Sequence, residues 1–300
     1  YMEKTYQIIT DSCCDISKEI RQEMGLDYVH MGLVVDGVEM RADLDWEDYT
    51  PEEFYGWLQS GKKMKTTQVS IPEFVYVFTK YLEKGLDIIY LGCATALSGS
   101  VNVCSLAIEE LKEKFPDRRI VAYDTHTSAY TMGFLVQEAA KKQAEGLTMD
   151  ELIAWVDVNR KKFNQFATVD TLTYLKNAGR VKGAKAFMGN LLGMKPIIIS
   201  DTLGNNLTIK TVRGTKASLN ELVECVKEVI DVEANPRIYV GQGMAMDNAL
   251  KLKERFENEI PGCIVEINWI GPIIGTTCGP GIIGVFCYGK EVTRFEGDGK

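Results

Sequence analysis

The sequence is poor in the residues that most catalytic centres are built on. It holds two histidines, His30 and His126, and its eight cysteines are scattered with no CxxC pair. That speaks against a histidine-based metal cluster, and no metal site is recognisable. Adjacent Cys13-Cys14 suits neither a common disulfide nor a zinc site, whereas Cys104, Cys225 and Cys287 fall on apolar positions. Such thiols read as small core residues in a reducing compartment. No Lys/Arg cluster offsets the net charge of −8, so no nucleic-acid partner is expected. There is no Walker A motif, no His/Asp/Cys constellation and no signal peptide at the start. Two uncharged stretches, 88–108 and 268–289, are broken by Gly, Ser, Asn or Pro, so no integral membrane segment is expected. These absences leave a cytoplasmic protein with a small partner and no cofactor.

What is present is an alternation of strands and helices. Three hundred residues, 45% hydrophobic and 25% charged, suffice for one large or two ordinary domains. The clearest unit is residues 86–115. The apolar run Ile88 to Leu91 reads as a buried parallel strand, and Val101, Cys104, Ile108, Leu111 and Phe115 form a helical stripe. Between them a small-residue turn, Cys93 to Ser100, carries Ser98-Gly99 where the helix should start. A strand running through such a turn into a helix offers backbone N–H groups and a hydroxyl at the positive dipole end, which suits an anion. The same features also fit a plain N-cap.

Tyr6–Thr10 reads as a first strand, with Asp11-Ser12 at its carboxyl end and a helix from about Ile16 to Met24. Tyr28–Val35 and Val38–Arg41 flank Asp36-Gly37, a hairpin signal. Capping boxes at Thr50–Glu53, Ser70–Glu73 and Thr148–Glu151 open three helices. Lys65-Thr66-Thr67-Gln68 lies before the second of these as a polar segment without periodicity. Two hydroxyl-bearing turns ahead of helix starts suggest a shared anion pocket. Arg119–Tyr123 reads as a further strand, with Asp124-Thr125 at its end and His126 in the turn beyond.

After residues 163–165 the pattern changes. Phe166–Thr171 reads as a strand and Leu172–Ala178 as a short helix. The runs at 197–200 and 207–212 form a hairpin, and helices at 216–231 and 246–259 enclose a strand at 237–240. Strands at 264–267 and 282–288 bracket a Gly/Pro-rich loop, Gly271–Gly281, and a polar tail follows Phe295. The expected fold class is α/β in two domains. Residues 1–164 form an N-terminal three-layer domain around a parallel sheet, and residues 165–300 a C-terminal α+β domain with a mixed sheet.

Several short motifs together resemble one family. They are TDS at Thr10–Ser12, TTQVS at Thr66–Ser70, ATALSGS at Ala94–Ser100 and LKNAGRV at Leu175–Val181. LLGMKPI at Leu191–Ile197, KTVRG at Lys210–Gly214 and GPIIGTTCGPG at Gly271–Gly281 complete the set. They are similar to TDS, TSQPS, SSGLSGT, LKKGGRI, LLNIKPI, KVRG and GPVIGTHTGPG of the bacterial DegV family, which includes the fatty-acid-binding subunits of fatty acid kinase. The resemblance covers nearly the whole chain.

It implies two α/β domains enclosing one long-chain fatty acid, with the carboxylate at the domain interface. The family's carboxylate-binding threonine and serine fall on Thr66 and Ser98, beside Gly99 at the helix start. Thr95 falls on another serine of the same signature, and Arg213 on the VRG arginine. Where the family has a histidine near the carboxylate, this chain has Thr277, followed by Cys278. Threonine donates a hydrogen bond, but it carries no charge and shuttles no proton near neutral pH. The reading is a non-catalytic lipid carrier, with a fatty acid kinase catalytic subunit as its implied partner. The competing readings are a carrier of another lipid or apolar acid, and a phosphotransferase-like enzyme.

Overall fold

Apolar runs too short for helices and bounded by turn residues become strands here, and the central ones, at 6–11, 87–92, 163–168, 237–242 and 283–288, are buried on both faces. The computed structural model describes residues 4–183 and 193–295. Its first half contains β1 (Tyr6–Asp11), α1 (Lys18–Met24), β2 (Asp27–Val29), β3 (Gly32–Val35), β4 (Val38–Arg41), α2 (Pro51–Gln59) and β5 (Met64–Thr67). There follow α3 (Ile71–Leu82), β6 (Asp87–Gly92), α4 (Ser100–Lys114), β7 (Ile120–Asp124), α5 (Ala129–Ala144) and α6 (Met149–Asn159). The second half contains β8 (Phe163–Thr168), α7 (Thr173–Ala178), β9 (Val181–Lys182), β10 (Met194–Ser200), β11 (Asn206–Arg213) and α8 (Thr215–Val229). It ends with β12 (Arg237–Gln242), α9 (Met246–Glu259), β13 (Ile264–Trp269), α10 (Pro272–Cys278) and β14 (Ile283–Tyr288). The LLGMKPI motif begins outside the described residues, and so does the tail beyond Phe295.

Three sheets result. A parallel sheet has the order β2-β1-β6-β7, a mixed sheet the order β13-β12-β14-β8-β10-β11-β9, and a small antiparallel sheet the order β4-β3-β5. The expected α/β class, with one parallel and one mixed sheet, is what the chain adopts. Strands up to Asp124 belong to the parallel and small sheets and those from Phe163 to the mixed one, so the chain changes sheet between them. In the parallel sheet, β1 leads through α1 to β2 at one edge, while β6 leads through α4 to β7 at the other. Right-handed crossovers in opposite directions put α1 and α4 on opposite faces. The direction reverses between β1 and β6, and their carboxyl ends diverge into a crevice, the usual ligand position in such sheets.

Five local expectations need correction. Tyr28–Val35 is two strands, not one: β2 pairs with β1 in the parallel sheet, and β3 pairs with β4 and β5 in the small one. The break falls at His30-Met31, where the His30 N–H and ring both bond Glu73, at 2.9 and 2.8 Å. Because Glu73 is turned to His30, the box at Ser70 is only half made: Ser70 Oγ accepts the Glu73 N–H, without the reciprocal bond. The polar segment 65–68 holds β5, whose alternating exposure comes from pairing with β3. Gly271–Gly281 is not a plain loop but contains α10, with Pro272 in its first turn and Gly279 (φ 80°) past its end. Those are the positions each residue favours at helix ends. The strand expected at 166–171 is β8, three residues earlier.

Helix α5 joins the layers. It is buried on nearly all sides, as a helix apolar around its circumference must be. Tyr130 and Phe134 reach Tyr239 of β12, with ring centroids 4.6 and 4.8 Å apart. On its other side Gly133 faces the short 3₁₀ turn after β1, where an added Cβ would run into the Cys14 carbonyl oxygen. Alanine gains about 1 kcal/mol over glycine in a helix interior, but backbone cannot yield here as a side chain could. Gly133→Ala is therefore expected to destabilise the protein by about 1–3 kcal/mol. Urea unfolding measures it, and a variant as stable as the parent would show that α5 has room to shift.

Candidate functional site

The crevice at the β1/β6 reversal is floored by two turns that Asp11 holds together. Its carboxylate accepts from the Cys13 N–H (2.9 Å), the Cys93 N–H (2.9 Å) and the Tyr90 hydroxyl (2.5 Å). Burial raises its pKa from the ordinary value, and these three bonds offset part of the effect.

Above this floor lies a cleft of about 440 Å3, lined by Thr66 and Gln68 from the small sheet and Thr95, Ser98 and Gly99 from the turn into α4. Ser128 at the start of α5, Arg180, Asn206 and Thr277 close its other side. Two further cavities adjoin it. One, of about 620 Å3, shares Thr66, Arg180 and Thr277 with it and adds Lys62, Lys63 and Lys65. The other is a narrow apolar slot of about 40 Å3 between Ala129 of α5, the mixed sheet and α10, walled by Ala167, Ile198, Ile270, Ile274, Ile282 and Phe286. It meets the first cleft at Ser128, Asn206, Ile274 and Thr277. Thr277 lines all three.

The structure thus brings Thr66, Ser98, Gly99, Thr95 and Thr277 round one cleft, with differing freedom. Thr95 is committed: its hydroxyl bonds Asp124 at 2.5 Å and its N–H the same oxygen at 3.2 Å. Ser98 Oγ lies 2.9 Å from Ser100 Oγ and accepts the Ser100 N–H at 3.2 Å. Ser100 Oγ in turn accepts the Val69 N–H at 3.1 Å, tying the Thr66 segment to the Ser98 turn. With Ser100 donating its proton to Ser98, the Ser98 hydroxyl proton is free for a ligand. Thr277 Oγ1 bonds back to the Ile273 carbonyl at 3.3 Å, within its own helix. Gly99 is the N-cap of α4 without a side-chain bond, and the Gln68 carboxamide occupies the space where a Cβ would stand.

Arg213 is not brought in. It is exposed at the far end of β11, seven residues along the strand from Asn206, which lines the cleft. The arginine on the cleft is Arg180, just beyond the left-handed Gly179 (φ 66°) that closes α7. Its Nε donates to the Leu97 carbonyl at 3.0 Å. The LKNAGRV motif contains it, but sequence alone has no way to weigh it against Arg213. Ser128, Ser100 and Asn206 were likewise missed. Ser128 is buried with its Oγ lacking a partner among the described residues, and no periodic pattern marks such a hydroxyl.

The described thiols and imidazole at this cleft are not activated for covalent chemistry. Cys13 and Cys93 line the cleft, and the Cys13 thiol is pushed well up by its contact with Cys93 and by burial. For Cys93 the same contact is the largest single effect and pulls down, but burial and the Asp11 and Asp124 carboxylates together outweigh it, and that thiol is also raised. Both stay protonated at neutral pH, so neither is a thiolate nucleophile. His126 lies 3.5 Å from Asp124 through Nε2, but Thr95 gives its proton to Asp124, not to the imidazole. That order is not the hydroxyl–imidazole–carboxylate relay of a hydrolase. Among the described residues no group of three His, Cys, Asp or Glu side chains is placed to hold a metal.

A profile described as an uncharacterised protein of the DegV family matches residues 5–290. The chain belongs to the DegV family. A DegV domain-containing protein of Clostridium perfringens is 32% identical over 286 residues, covering 95% of this chain and 98% of that one. A solved DegV family protein from Thermus thermophilus, described by its fatty acid binding, is 27% identical with a TM-score of 0.83, covering 95% of this chain and all of the other. A stearic-acid-binding protein from Eubacterium ventriosum is 24% identical with a TM-score of 0.84, covering 94% and 98% of the two chains, and at that distance shows the shared fold. No helix among the described residues is long and apolar enough to cross a membrane.

The Ser100 link is open to direct test. Ser100→Ala strands the buried Val69 N–H and is expected to cost about 1–3 kcal/mol. Chemical unfolding gives the loss, and amide exchange at Val69 should quicken. Unchanged stability and exchange would mean that the two turns are joined by something else.

Proposed function

We propose that this protein is a non-catalytic carrier of one long-chain fatty acid, held with its carboxylate in the hydroxyl-lined cleft and its tail in the apolar slot. The observation that carries this reading is the position of Thr277, where a polar cleft and an apolar slot meet. A ligand spanning both must be polar at one end and apolar along the rest. The solved relative from Thermus thermophilus that binds fatty acid lends support.

Thr66, Ser98 and the first-turn amides after Gly99 receive the carboxylate, with Thr277 and Arg180 beside it. Each hydrogen bond to a charged group contributes about 1.5–3 kcal/mol. Burying a tail of about sixteen carbons at about 0.8 kcal/mol per methylene supplies on the order of 10 kcal/mol gross. The tail therefore gives most of the affinity and the head most of the selection. Ligand pockets usually hold about 300–1,000 Å3, so uptake of such a tail requires the walls of the 40 Å3 slot to part.

Mass spectrometry of lipid extracted from the purified protein should reveal a long-chain fatty acid. The pair Thr66→Val and Ser98→Ala should lower its affinity by a few kcal/mol at most while the protein stays folded. Absence of lipid, with no binding of a fluorescent fatty acid by the stripped protein, would sink the reading. Unchanged affinity in the double variant would leave the hydroxyls as structural groups only.

The implied partner is a fatty acid kinase catalytic subunit. The second cleft supports an approach by a phosphate-bearing group, since Lys63, Lys65 and Arg180 line it and no carboxylate does among the described residues. Thr277 stands where the resemblance expects a proton-carrying histidine, so native turnover to acyl phosphate is expected to be poor and Thr277→His to raise it. Reconstitution with such a catalytic subunit measures both. Vigorous turnover by the native protein, with no gain from histidine, would make Thr277 a neutral replacement.

A further inference from the structure

A separate cleft of about 220 Å3 lies between the loops after β1 and β4 and the end of β13, sharing no lining residue with the three cavities above. Its walls include Asp15, Glu19, Asp45, Trp46, Asn268 and Trp269. At about 30 Å3 per water, the space equals roughly seven waters, enough for a ligand of a few heavy atoms and too small for a lipid.

Its polar groups are incompletely satisfied. Asp15 is 6% exposed, in the left-handed conformation (φ 55°). Its Oδ1 accepts the Gly271 N–H at 3.1 Å, while its buried Oδ2 has no partner among the described residues. Burial pushes this carboxyl well above its ordinary range, against the pull of the Gly271 bond. Asn268 Nδ2 is likewise buried without an acceptor. The cation on the wall is matched, since Lys18 pairs outward with Glu47, and Asp45 is matched by Arg21. Asp15 and the exposed Glu19 have no ion-pair partner among the described residues, so an ammonium entering the cleft would have Asp15 to itself and would hold that carboxyl in its ionised form against the effect of burial. Trp46, also left-handed (φ 55°), and Trp269 meet edge-on with centroids 6.4 Å apart. A bulky residue in that conformation persists only where its surroundings enforce it.

An unpaired buried carboxylate oxygen calls for a donor, best a cationic one. Two indoles attract a cation across their faces and cover short methylene stems. The free amide hydrogens of Asn268 call for an acceptor a few ångströms away. We propose that this cleft binds a small alkylammonium ligand bearing a hydroxyl, of amino-alcohol type, with its ammonium on Asp15 Oδ2 and its hydroxyl accepting from Asn268. The site is independent of the lipid reading, because none of its residues lines the lipid cavities.

Titration of the full chain with ethanolamine, ethylamine and ethylene glycol, followed by calorimetry and indole fluorescence, tests it. Ethanolamine should bind saturably and change the tryptophan emission, with ethylamine weaker and ethylene glycol not binding. Asp15→Asn keeps an oxygen for Gly271 but removes the charge, and should weaken ethanolamine about tenfold or more. Asn268→Ala leaves Asp15 in place and should abolish the advantage of ethanolamine over ethylamine. The proposal is overturned if ethanolamine fails to saturate the native protein, or if ethylene glycol binds as well, which would mark a merely hydrated crevice. Equal binding of the two amines by native protein and Asn268→Ala alike would overturn the assigned pose.

Discussion

The two turns that floor the main cleft hang on one buried carboxylate. Asp11 ends β1, the neighbouring strand β6 ends level with it at Gly92, and both chains must then turn away in opposite directions. Divergence of that kind leaves backbone donors facing each other across a gap, where an unpaired group costs about 1–3 kcal/mol. Asp11 takes the Cys13 and Cys93 N–H groups at once, and the Tyr90 hydroxyl reaches the same carboxylate from within the sheet. Everything above inherits its position from this knot: the Thr95–Ser98 turn, the start of α4, and through Ser100 the small-sheet segment that carries Thr66.

Much of this was legible beforehand where a local cause sufficed. The apolar runs of β1 and β6 and the boxes at Thr50 and Thr148 are local, and both boxes are formed with their reciprocal bonds. The pairing of Thr66 with Ser98 could be reasoned from two hydroxyls ahead of helix starts. Where the cause is tertiary, the sequence is mute. β5 is a strand because β3 supplies its register, and Glu73 abandons its cap because His30 lies within reach. The helix within Gly271–Gly281 hides behind glycines, one of which, Gly275, is small because Phe54 and Tyr55 stand against it. Arg213 and Arg180 are indistinguishable as text; only the eight-residue length of β11 and the turn at Gly179 separate them.

Helix α10 ties several of these features together. The Gly271 N–H at its start is held by Asp15 of the first half, and the Ile270 carbonyl by the Tyr55 hydroxyl at 2.6 Å. Its other end carries Thr277 to the junction of the three cavities. One short segment of the second half is therefore positioned by the first, and the loop containing Gly204 repeats the arrangement, packed so tightly on Ala94 and His126 that a Cβ would collide with both.

The commitment of Asp11 has a consequence for the chemistry of the cleft. With the Cys13 and Cys93 amides already taken, the groups left facing a head group are chiefly hydroxyls and carboxamides. Such groups are amphoteric: each hydroxyl can give a proton or receive one. Among the described lining residues Arg180 alone bears a charge, and it stands at the exposed rim. Recognition of ionisation state is thus separated from recognition of shape. If the cleft holds an acid as proposed, its hydroxyls would accommodate the ionised form, the protonated form or a neutral derivative by turning their protons, and any preference for the anion would rest on a single guanidinium and the dipole of α4.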